Sequence, residues 1–143
     1  MPSVFDQTGL RFEYPENWSL EEASDYQIEQ VVVSSPNTAF WQLTKYPADA
    51  ELEPLFDEAL AALRTEYPEM ETEPAAAEQV ESQPLVGFDV NFICLDLTNT
   101  CWLRGFQTSE ATYLLLCQAE DREFAQVSPV FQAMLASLLR HLA

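Results

Sequence analysis

Between Pro84 and Ala119 three apolar, β-prone segments follow one another, separated by nothing longer than Thr98-Asn99-Thr100 and Ser109-Glu110. Breaks this short cannot carry a crossover helix, so the segments must pair as an antiparallel meander. Phe88, Val90, Phe92 and Cys94 alternate onto one face of the first segment, Cys101 to Thr108 is the second, and Thr112 to Ala119 the third. Earlier in the chain, Leu10, Phe12 and Tyr14 alternate with Arg11 and Glu13 until Pro15 breaks the strand. Tyr26 to Ser34, rich in valine, and Thr38 to Tyr46 read as a hairpin turned by Pro36-Asn37. The valine run and Phe40-Trp41 place apolar side chains on both faces, which predicts a sheet covered on both sides.

Two segments switch to helical period. Pro54 to Tyr67 carries Phe56, Leu60, Leu63 and Tyr67 on one stripe and is stopped by Pro68. Ser128-Pro129 reads as the cap and first residue of a last helix, with Phe131, Met134, Leu135, Leu138 and Leu142 facing inward. Glu69 to Glu81, acidic and broken by Pro74, is compatible with a short edge strand or a loop. The order predicts an α+β fold, an antiparallel β-sheet flanked by helices. At 143 residues, with no repeat or linker, one domain over residues 1–143 is expected.

Charge excludes several function classes. Against 24 Asp and Glu stand 6 Lys and Arg, a net charge of -18. Phosphate neutralisation needs clustered cations, so neither nucleic acid nor an anionic membrane is an expected partner. No apolar stretch approaches the roughly 20 residues that a spanning helix requires, and no export signal is recognised. A cytoplasmic location with free thiols is expected. Cys94, Cys101 and Cys117 read as small buried strand residues, since no Cys-x-x-Cys pair exists and the one histidine, His141, lies far away. That histidine and Arg140 suit the last turn of a helix.

Catalytic patterns are not found. One histidine cannot furnish a nucleophile–base pair as well as its orienting group, and Gly9, Gly87 and Gly105 are too scattered for a phosphate loop. Asp89 and Asp96, seven apart, fall on opposite faces of an ideal strand and read as solvated carboxylates. No catalytic, metal-binding or cofactor-binding residue is therefore assigned. The aromatic residues remain. Their number exceeds what one face of a small sheet buries, so Trp18, Phe40, Trp41 and Trp102 are candidate partner-binding residues.

The segment Gly9-Leu10-Arg11-Phe12-Glu13-Tyr14-Pro15-Glu16-Asn17-Trp18 resembles the opening G-x-x-F-x-Y-P-x-x-W pattern of the Mog1/PsbP-like fold. Leu85-Val86-Gly87-Phe88-Asp89 is similar to that group's mid-chain glycine strand, and Tyr113 to Leu139 to its final strand and helix. The group includes photosystem II extrinsic subunits, a Ran-binding import factor and bacterial proteins such as Eag-type chaperones. The resemblance implies an α/β/α sandwich and a non-enzymatic role holding another protein, as an adaptor or chaperone of the bacterial cytosolic branch. The acidic surface points to a basic or amphipathic partner. Two alternatives stay open: a small-molecule binder or enzyme using a pocket between sheet and helix, and a structural homo-oligomer.

Overall fold

The computed structural model describes residues 1–142. The chain opens with a separate hairpin of β1 (Ser3–Gln7) and β2 (Leu10–Tyr14), followed by β3 (Ser19–Asp25), β4 (Ile28–Ser34) and β5 (Phe40–Pro47). Helix α1 (Leu52–Glu66) leads into two short strands, β6 (Glu71–Pro74) and β7 (Glu78–Val80). Then come the long strands β8 (Gln83–Cys94), β9 (Leu97–Gln107) and β10 (Ala111–Glu120), and helix α2 (Asp121–Leu142). The main sheet runs in the order β3-β4-β5-β10-β9-β8-β6, antiparallel throughout, with β7 pairing on the outer side of β8.

Alternation along the strands builds one core on each face of the sheet. Val31, Val33, Trp41, Leu43, Tyr113, Leu115 and Cys117 point to the side taken by α2 and the β1–β2 hairpin. There the stripe of Phe131, Met134, Leu135 and Leu138 closes over them, and the backbone N–H of Glu13 donates to Ser137 Oγ at 3.0 Å. On the other face α1 lays Phe56 onto Leu103 and Leu114, while Val90, Phe92, Cys101 and Met70 form a neighbouring cluster. Gly105 permits this close approach, because a Cβ there would sit 2.7 Å from Leu52 Cδ2 and Phe56 Cζ. The result is the expected α+β arrangement of a helix on each face of an antiparallel sheet.

Several elements differ from the sequence-based expectations; α1 starts at Leu52 rather than Pro54 and β4 at Ile28 rather than Tyr26. Thr98-Asn99-Thr100 is not a turn: it lies inside β9, and β8 turns into β9 through Leu95-Asp96, pairing Cys94 with Leu97 and Ile93 with Thr98. Both turn residues have positive φ, 52° and 65°, the backbone of a two-residue type I′ hairpin. Helix α2 begins at Asp121 rather than at Ser128. Its first turn is acidic, as the helix dipole favours, and Glu123 accepts hydrogen bonds from Ser35 Oγ, Thr38 N and Thr38 Oγ1 at 2.6–2.7 Å. Pro129 therefore falls within the helix, on its exposed side, where a carbonyl left without a donor can be hydrated. Finally, β1 and β3 have no counterpart in the predicted elements, and the acidic segment Glu69 to Glu81 forms both β6 and β7.

The sheet edges are polar. At one end β3 exposes Glu21, Glu22 and Asp25, and at the other β6 exposes Glu71, Glu73 and Pro74.

Candidate partner-binding surface

The four aromatic candidates do not converge. Trp41 is fully buried, its ring 4.8 Å from Phe12 beneath the β1–β2 hairpin, and Trp18 is 8% exposed against Phe131. Both are core residues, which corrects their assignment as partner-binding. The β1–β2 hairpin adds a second apolar lid to the sheet and absorbs them. Trp102 is half-buried under α2, edge-on to Phe124 at 4.8 Å. Arg104 places its guanidinium 5.6 Å from the Trp102 ring centre. That arginine also binds Glu78 Oε1 at 2.9 Å, Asp89 Oδ1 at 2.8 Å and the carbonyl of Phe88 at 3.0 Å. Asp89 is thus an ion-pair partner tying β8 to β9, rather than a merely solvated carboxylate. Phe40 is half-buried on the opposite face of the sheet, paired with Gln118.

A different surface carries the exposed apolar groups. At the tip of the β8–β9 hairpin Ile93 is 70% exposed, Leu95 91% and Leu97 39%. Leu95 adds a backbone penalty to the solvation penalty, since left-handed φ costs a leucine roughly 1–2 kcal/mol. Asn-Gly is the usual occupant of such a turn.

Beside this tip opens a cleft of about 700 Å³ between the α1–β6 connection, the hairpin and the start of α2. Its floor is a stack of Tyr67 on Phe92, ring centres 3.9 Å apart. Burial, then the Cys94 thiol and the Glu66 carboxylate, push the Tyr67 hydroxyl above its ordinary value. Glu66, Glu69, Glu71 and Asp121 stand on its walls, and no basic side chain lines it. Asp121 is held there by Thr100 Oγ1, which donates to its Oδ1 at 2.7 Å and accepts from Asn91 Nδ2 at 3.0 Å. This surface was missed in the sequence because the turn was placed three residues late, inside β9. The available signal was Ile93, Leu95 and Leu97 alternating across an aspartate.

Two further grooves, of about 380 Å³ between α2 and the β1–β2 hairpin and about 340 Å³ between α1 and β8, flank the sheet. The void between β9, β10 and α2, bordered by Trp102, Arg104, Cys117 and Phe131, is about 10 Å³, the space of one water at most. Burial pushes the Cys101 thiol up to about 12 and the Cys117 thiol well above its ordinary value, so neither supplies a thiolate at neutral pH. Among the described residues no three His, Cys, Asp or Glu side chains converge as a metal site, and no helix is long and apolar enough to cross a membrane.

No family model and no curated protein sequence matches the chain. Solved structures do. Cyanobacterial PsbP (CyanoP) from Synechocystis is similar over 95% of this chain and 90% of its own, with a TM-score of 0.62 and 12% identity. PA94 of Pseudomonas aeruginosa, a protein of unknown function, is similar over 96% of this chain and 95% of its own, with a TM-score of 0.56 and 12% identity. Two helices on an antiparallel sheet, matched nearly end to end by these structures, make this chain a bearer of the PsbP-like fold.

Proposed function

We propose that this protein is a non-enzymatic adaptor or chaperone-like protein that holds another protein, basic or amphipathic, at the β8–β9 hairpin. The observation that carries this reading is the trio Ile93, Leu95 and Leu97, exposed at a hairpin tip where the backbone itself disfavours leucine. Apolar groups of this kind give binding energy, and the charge of -18 gives steering toward a cationic partner. A pull-down from lysate of the native organism, at low and moderate salt, tests it. One stoichiometric protein, captured by the wild type, weakened by salt and lost with Leu95→Asn, is the expected result. Capture that is indifferent to Leu95→Asn and Ile93→Ser overturns the assignment of this surface.

A further inference from the structure

We propose that the free rim of β3 receives a cationic extended segment of another protein as an added antiparallel strand. The site is independent of the β8–β9 hairpin, since β3 and β6 close opposite ends of the sheet. β3 is seven residues long, carries no proline and is hydrogen-bonded to β4 alone. Its turn into β4 is the two-residue Tyr26-Gln27, closed by the pair Asp25–Ile28. In such a hairpin the closing pair exchanges its N–H and C=O groups, and every second residue turns them the other way. Ser19, Glu21, Ala23 and Asp25 therefore bond to β4, while the N–H and C=O groups of Leu20, Glu22 and Ser24 point outward. Among the described residues no backbone group from another element bonds to them. The far rim differs: β6 has four residues, and Pro74 removes a donor.

Backbone and charge together decide the occupant. A helix has its own amides bonded and leaves these groups to water, whereas an added strand pairs with them. A second copy brings the same carboxylates. Antiparallel self-pairing centred on Glu21, Glu22 or Ala23 sets Glu21 against Glu21, Glu22 against Glu22, or Glu21 against Asp25, and like charges directly opposite destabilise a pair. Cations at those positions turn the same contacts into attractions, and neither β3 nor β4 holds a lysine, arginine or histidine to oppose them. Alternation then sets the partner's pattern. Leu20 and Glu22 pair with Val33 and Val31 on the α2 face, and Glu21 and Asp25 lie on the α1 face. An antiparallel partner thus carries one cation opposite Asp25, adjacent cations opposite Glu22 and Glu21, and an apolar residue opposite Leu20.

The test uses the full chain and a synthetic peptide with lysines opposite Asp25, Glu22 and Glu21, valines opposite Ala23 and Leu20, and threonine opposite Ser24. On binding, the amide protons of Leu20, Glu22 and Ser24 should become protected from exchange. N-methylation of the peptide residues opposite those three, whose N–H groups face β3, should weaken binding about tenfold, and N-methylation of the residues between them should leave it nearly unchanged. Leu95→Asn should bind like the wild type, and the triple variant Glu21→Gln, Glu22→Gln, Asp25→Asn should bind more weakly with a flatter salt dependence. Equal weakening by the two N-methylated peptides, equal affinity for a shuffled peptide of the same composition, or wild-type affinity in the triple variant would mean diffuse attraction to a polyanion and would overturn the proposal. Protection of the same amides without peptide, rising with protein concentration, would make a second copy the occupant and overturn it too. The N-methylation comparison uses the wild-type chain, so lost folding cannot imitate its result.

Discussion

Arg104 is the residue whose removal the structure prices most clearly. Its side chain is 11% exposed and joins two strands to β7 through Glu78 at 2.9 Å and Asp89 at 2.8 Å, with further bonds to the carbonyls of Phe88 and Leu103. Arg104→Met keeps much of the apolar stem over Trp102 and deletes every donor. Breaking a buried pair from one side costs about 3–5 kcal/mol, because the orphaned charge stays behind. Here the orphans are Glu78 and Asp89, 34% and 31% exposed, and water reaches them. That partial solvation lowers the expected loss to about 3 kcal/mol. At roughly 3 °C per kcal/mol for a chain of this size, the melting temperature should fall by about 9 °C. Urea unfolding followed by tryptophan fluorescence reads the loss as a lower midpoint at unchanged slope. Adding Glu78→Gln and Asp89→Asn should restore more than half of it, since no charge is then left unpaired. A single-variant loss below about 1 kcal/mol would place the network with ordinary surface pairs and refute the reasoning.

Leu95→Asn should stabilise the protein by about 1 kcal/mol by relieving left-handed backbone strain, seen as a rise of roughly 3 °C on thermal melting; a fall would show that the tip supports the fold. Gly87→Ala should destabilise by about 3 kcal/mol or more in chemical denaturation, because its Cβ would overlap the carbonyl oxygen of Leu103 in the paired strand. Burial raises the Glu123 carboxyl, but hydrogen bonds from Ser35, Thr38 and Ala39 outweigh it and hold the group below the usual carboxylate range. A lowered folded value means stability that is present above the unfolded value and lost as pH falls through the folded one. The difference in melting temperature between wild type and Glu123→Gln should therefore be fully expressed at neutral pH and shrink below about pH 4.

What could be read from the sequence follows from where the apolar side chains go. The β4–β5 hairpin, α1 and the β8–β10 meander bury a regular stripe, so periodicity locates them. Strands β3 and β6 bury little, Leu20 of β3 alone packing on the core, and are held mainly by backbone pairing, which leaves no periodic trace. The β8–β9 turn escaped because Leu95-Asp96 lacks the glycine or asparagine that announces a type I′ turn, whereas Thr98-Asn99-Thr100 looks like a turn and is strand. Pro129 misled in the opposite direction, as a helix start when the helix was already two turns old. The tryptophans illustrate the remaining gap. Nothing local to Trp41 says that a hairpin formed thirty residues earlier in the chain will cover it.

The carboxylates along the two rims of the sheet have a consequence for how two copies meet. Each rim is a row of free backbone donors and acceptors, and what separates the rims of two colliding molecules is the charge on Glu21, Glu22 and Asp25 or on Glu71 and Glu73. Pro74, which has no N–H to donate, adds a second guard at one rim alone. The β3 rim has no such proline and relies on its charges alone. The net charge of -18 thus acts at the rims as well as over the whole surface, keeping apart edge strands that would otherwise pair.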